Sequence, residues 1–93
     1  MYAVAFYEVD SEQFHRATEV YPRHRAYVDE FAKSGALAMI GTLGNPIADG
    51  SMAIFRSREA AEAFRAGDPF VLEGIVGGSR IVDWDPLVFP AAG

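Results

Sequence analysis

The sequence contains no cysteine. That absence excludes disulfides, thiolate nucleophiles, zinc knuckles and iron–sulfur clusters. Positive charge is also scarce: eight Lys and Arg stand against thirteen Asp and Glu, giving a net charge of -5. A surface so poor in cations is unsuited to displacing counterions from nucleic-acid phosphate or to docking on an anionic membrane. No apolar run approaches the ~20 residues of a spanning helix. The first residues, Met1 to Glu8, lack the basic segment of a secretory leader, so the expected location is the cytoplasm. Histidine occurs only at His15 and His24, a separation that matches no helical ligand pair, and no metal is expected. Gly41-Thr42-Leu43-Gly44 lacks the lysine and the spacing of a phosphate loop and reads as turn geometry, so no cofactor is expected either.

What is present is the material of one domain covering residues 1–93: 51% of the residues are apolar and 23% charged. Tyr2 to Val9 is rich in aromatic and β-branched residues and reads as a strand. Ser11 suits the cap of a short helical turn running to about Glu19. Pro22, unwelcome inside a helix but harmless at its first position, predicts the start of the main helix, which Gly35 ends. Its inward stripe is His24, Tyr27, Val28, Phe31 and Ala32. Ala36 to Leu43 and Ser51 to Arg56 read as the second and third strands, separated by Gly44-Asn45-Pro46 and Asp49-Gly50. Ser57 caps a second helix that ends at Gly67, and Asp68-Pro69 opens a short third one before Gly74. Gly77-Gly78 reads as a turn and Ser79 to Asp85 as the last strand.

The order β-α-β-β-α-β predicts an α+β fold, a ferredoxin-like sandwich with helices on one face of an antiparallel sheet. The other face does not alternate towards polar residues as a wet face should. Tyr2, Val4 and Phe6 oppose Ala3, Ala5 and Tyr7; Leu37, Met39 and Leu43 oppose Ala36, Ala38 and Ile40; Met52 and Ile54 oppose Ala53 and Phe55. Burying five or six such side chains is worth on the order of 10 kcal/mol at ~25 cal/mol per Å². A second copy of the chain, packed sheet against sheet, is the simplest cover, so a homodimer is expected.

Two residues combine ionisable chemistry with an inward position. At the third position of a helix starting at Pro22, His24 would meet the positive end of the dipole and lose hydration, both of which favour a neutral, proton-accepting ring. Asp68, at another helix start, would accept the ring N–H and fix the tautomer if the fold brings the two together. Taken singly, an Asp before Pro is more often a cap and a lone His more often a packing residue, and spacing does not say whether they touch. No serine sits in a nucleophile elbow. Tyr7, Tyr27, Phe31, Phe55, Phe70 and Trp84 are candidates for a pocket wall, although aromatics at such periods more often form plain core.

Tyr21-Pro22-Arg23-His24-Arg25, together with Gly67-Asp68-Pro69-Phe70-Val71-Leu72-Glu73-Gly74, resembles the YciI family, also called YCII-related proteins. Members show Arg-Pro-x-His opening the first main helix and Asp-Pro-(Phe/Tyr) before a short helix that ends in Gly. The segment Gly35 to Gly41 and the last strand, ending in Trp84, fit as well, so the resemblance covers the whole domain. Tyr21 departs from it, standing where the family usually has Arg. The resemblance implies a dimeric α+β barrel with an active site on the His and the Asp. One type of relative resembles a dehalogenating enzyme acting on a chlorinated hydroxyquinol.

The expected function is a cofactor-independent small-molecule enzyme of dehydrochlorinase, lyase or hydrolase type, with catalytic residues His24 and Asp68. Arg23 or Arg25 would hold an anionic group in place of the missing arginine, with Tyr27 and Phe70 as aromatic walls. The alternative is a non-catalytic dimeric module that binds a metabolite or serves assembly.

Overall fold

The computed structural model describes residues 1–92 and contains four strands and three helices. The strands are Tyr2–Val9 (β1), Leu37–Thr42 (β2), Ser51–Phe55 (β3) and Val76–Trp84 (β4). The helices are Ala17–Ala32 (α1), Arg58–Gly67 (α2) and Pro69–Leu72 (α3), with a 3-10 turn at Phe14–Arg16 leading into α1. The sheet order is β2-β3-β1-β4 with every neighbouring pair antiparallel, the arrangement two interleaved β-α-β crossovers produce. The fold is ferredoxin-like α+β. No helix among the described residues is long and apolar enough to cross a membrane.

The register divides the strands into two faces. The row Ile40–Ala53–Ala5–Ile81 and the row Leu37–Phe55–Ala3 lie on the helix side, where Ala3, Ala5, Ala53 and Phe55 are wholly buried. Three alanines across the centre of the sheet let the helices approach closely, and aromatic rings fill the remaining space. Phe64 of α2 and Phe31 of α1 meet edge to face with centroids 5.2 Å apart, and Phe31 meets Phe55 in the same way at 6.1 Å. The opposite face carries Met39, Ile54, Val4 and Val82 in one row, and Met52 and Phe6 in the next.

Two elements begin where side chains make them begin. Ser57 Oγ accepts the N–H of Ala60 at the start of α2, and Asp68 Oδ1 accepts that of Phe70 at the start of α3. Gly35, at φ +79°, turns the chain out of α1. Gly50, at φ +78°, leads into β3 so close to β1 that any Cβ would strike the Tyr7 carbonyl.

Three expectations are corrected. Helix α1 starts at Ala17, not at Pro22, so Pro22 lies inside it. The 3-10 turn already nucleates the helix, and tertiary packing of Val20, which is wholly buried, holds the first turn despite the bond the proline cannot make. In β2 a register shift between Leu37 and Met39 brings both Leu37 and Ile40 onto the core face, where strict alternation had put them on opposite sides. Finally, Gly77 and Gly78 are not a turn but part of β4. Gly78 pairs with Glu8, and the register shifts before the Val9–Val76 pair, the kind of irregularity glycine accommodates in a strand.

Candidate active site

Helix α1 presents one flank to the core and the adjoining flank to a cleft facing β2. Because α1 starts at Ala17, His24 occupies its middle, two turns from either end, and the helix-start dipole does not act on the ring as the expected boundary implied. Its environment comes from α3. His24 Nδ1 lies 2.7 Å from Asp68 Oδ1, across 44 residues of sequence. The same carboxylate oxygen accepts the Phe70 N–H at 3.0 Å. Asp68 therefore caps α3 and holds the imidazole at once; its side chain is 3% exposed and that of His24 14%.

A carboxylate can only accept, so Nδ1 donates, and in the neutral ring that leaves the lone pair on Nε2. The Phe70 ring stacks on the imidazole with centroids 4.0 Å apart and planes 11° from parallel. Carboxylate and phenyl together fix the ring's rotation and its tautomer. The outcome is an oriented imidazole with one nitrogen engaged by the carboxylate.

His24, Asp68 and Phe70 all border a cavity of about 860 Å³ between α1 and the β2 edge of the sheet. Tyr7, Tyr21, Arg25, Thr42 and Ser51 border it as well. Arg25 is tethered to Asp29, its Nε donating to both carboxylate oxygens at 3.0 and 3.2 Å. Arg23 and Tyr27 do not border the cavity. Arg23 is exposed and reaches Glu73 at 3.5 Å. The Tyr27 hydroxyl donates to the Phe64 carbonyl near the end of α2 at 2.9 Å, which ties α1 to α2; burial, chiefly, raises its pKa. Among the described residues, no three of His, Asp and Glu cluster as metal ligands do.

Sequence reasoning passed over two contributors. Tyr21, noted only as a departure from the family arginine, packs near both His24 and Phe70, with centroids 6.0 and 6.4 Å away. Arg16 donates to the Glu73 carbonyl and to Glu73 Oε1, both at 2.9 Å, and so fastens the front of α1 to the end of α3. The opposite charges alone signalled such a pair; nothing in their spacing identified it.

The model of the YCII-related domain matches residues 1–85. The chain belongs to the YCII-related family. Among solved structures, this family member is similar to 5-chloro-2-hydroxyhydroquinone dehydrochlorinase (TftG) from Burkholderia phenoliruptrix, in complex with 2,5-dihydroxybenzoquinone. The TM-score is 0.71 at 19% identity, with 91% of this chain and 94% of that one covered, a likeness of fold. A search of curated proteins returns no match. In this YCII-related chain, Tyr21-Pro22-Arg23-His24 and Asp68-Pro69-Phe70 thus lie on neighbouring helices around one shared hydrogen bond.

Proposed function

We propose that the protein is a cofactor-independent enzyme that abstracts a proton from a small molecule, or from a water held against it, with His24 as the base and Asp68 as its orienting partner. The observation that carries this reading is the 2.7 Å contact between a nearly buried carboxylate and a ring that borders a cavity. When Nε2 takes a proton, the imidazolium that forms faces a carboxylate already in place, so the charge is offset without reorganisation. Phe70 and Tyr21 offer flat apolar surface to a ring-shaped substrate. The dehydrochlorinase fold neighbour supports a substrate class of hydroxylated, halogenated rings. We place this activity in the cytoplasm and assign it to a homodimer closed through the apolar sheet face.

The test is chloride release from 5-chloro-2-hydroxyhydroquinone, alongside binding of 2,5-dihydroxybenzoquinone. Wild-type protein is expected to release chloride, and His24→Asn to lose that activity while still binding the quinone. A wild type that binds the quinone without turnover, together with a His24→Asn variant that only melts earlier, would establish the non-catalytic module instead, with the His–Asp contact serving as a clamp between α1 and α3.

A further inference from the structure

Among the described residues, one buried side-chain polar atom has no hydrogen-bond partner: the Tyr7 hydroxyl. Tyr7 is 4% exposed and belongs to β1, in the hydrophobic core. Folded proteins seldom keep such a group unpaired, and where they do the position calls for an explanation in ligand, water or function. A phenylalanine would fill the same space without the desolvated oxygen.

Three features place this hydroxyl in the catalytic setting. Tyr7 borders the cavity that His24 and Asp68 border. It lies in a cross-strand row, Thr42–Ser51–Tyr7–Ser79, of which the first three members border the cavity, so that three hydroxyl-bearing residues follow one another along it. In addition, burial first, and then the negative charge of Asp68, push the phenol well above its ordinary pKa of 10.0. The group is therefore a neutral O–H, a donor at any physiological pH.

We propose that the Tyr7 hydroxyl is a substrate-binding donor that pairs with a carbonyl or hydroxyl oxygen of the ligand, the oxygen on which negative charge collects when His24 takes the proton. This deepens the proton-abstraction reading and rests on it. In the step, the substrate O–H or C–H bond breaks, its proton passes to Nε2, and the electron pair stays on the substrate as an enolate or phenolate. Tyr7 keeps its own proton and contributes a hydrogen bond that strengthens as the charge develops. The ligand class is accordingly a small molecule with an ionisable ring oxygen or with a carbonyl adjacent to the proton that leaves. A hydrocarbon ring of the same shape would leave the hydroxyl unpaired and bind poorly.

The experiment is Tyr7→Phe, a deletion of one oxygen, read by calorimetric titration with 2,5-dihydroxybenzoquinone and by melting of the ligand-free protein. The expected result is a loss of about tenfold or more in affinity with a melting temperature that is unchanged or higher. Unchanged affinity in the variant would overturn the assignment of Tyr7 and leave the His24 mechanism standing. A clearly lowered melting temperature would overturn it too, by revealing a structural partner for the hydroxyl. A wild-type protein that does not bind the quinone would remove both this assignment and the substrate class on which it rests.

Discussion

A single carboxylate serves two ends in this fold, and substitutions at Asp68 separate them. Asn is as good a helix cap as Asp, so Asp68→Asn retains the bond to the Phe70 N–H while surrendering the charge that faces the imidazole. Turnover is expected to fall by roughly 10²- to 10⁴-fold with only a small change in melting temperature, measured on the same preparation. Asp68→Ala loses the cap as well and is expected to cost about 1 kcal/mol of stability in addition. Tyr7 makes a different statement, about pH. Its folded-state phenol holds the proton after the unfolded chain has begun to release it near 10.0, so stability is fully present below that value and declines as pH rises above it. Tyr27, raised as well by burial, adds to the same decline. Urea midpoints measured from about pH 9 to about pH 11 should fall less steeply for Tyr7→Phe, which removes one titrating group worth up to about 1.4 kcal/mol per pH unit. A variant as steep as the wild type would exclude Tyr7 as the source. The residue types of the site were legible in the sequence, because an inward His and an Asp-Pro cap are local patterns. Their contact was not, since it joins residues 44 positions apart through the packing of α1 on α3.

At the scale of elements, the legible parts were those written in local chemistry. The bounds of β1 follow a stretch rich in aromatic and β-branched residues, and α2 and α3 begin where Ser57 and Asp68 cap them. The front of α1 was hidden because Pro22 argues locally for a boundary, whereas Val20, buried from the turn before it, argues for continuity and prevails. That conflict has an expected energetic signature. A proline at this position denies the Thr18 carbonyl its bond from residue 22, and an alanine would restore it. Pro22→Ala is therefore expected to raise stability by about 1–3 kcal/mol, part of the helix gain being offset by a more flexible unfolded chain. Equilibrium urea unfolding measures it; no gain, or a loss, would mean that the proline's contacts beside the cavity outweigh the missing bond. The irregularity in β2 was equally illegible, because Leu37, Met39 and Ile40 are all apolar and composition does not say which one the register shift turns outward. Met39 is that residue, 68% exposed, while Leu37 and Ile40 face inward.

For the whole molecule, the decisive feature is that this sheet has two apolar faces and helices for only one. Val4, Phe6, Met52, Ile54, Val82 and Trp84 share the uncovered side; Val82 and Trp84 are 39% and 42% exposed, and the Arg80 guanidinium lies 4.7 Å above the Phe6 ring. With strands about 4.8 Å apart and residues rising about 3.3 Å, four strands offer a surface of roughly 20 Å by 20 Å. Such a face projects roughly 400 Å², about half the ~800 Å² per partner of a standard interface, so the proposed pairing would rest on its aliphatic and aromatic contents, as in a divided core. Light scattering is expected to give about twice the 10.1 kDa of one chain. Ile54 lies in the middle of the face, paired with Val4 on one side and Met39 on the other, while its neighbours Ala53 and Phe55 point into the helix-side core. Ile54→Lys consequently charges the proposed interface without touching that core, and should yield a folded monomer with a dimer dissociation constant raised at least about 100-fold. A wild type that scatters as a single chain at micromolar concentration would refute the dimer. A variant that fails to fold at all would place Ile54 in the packing of the chain itself, and Val82→Lys, at the exposed end of the same row on β4, would then carry the test.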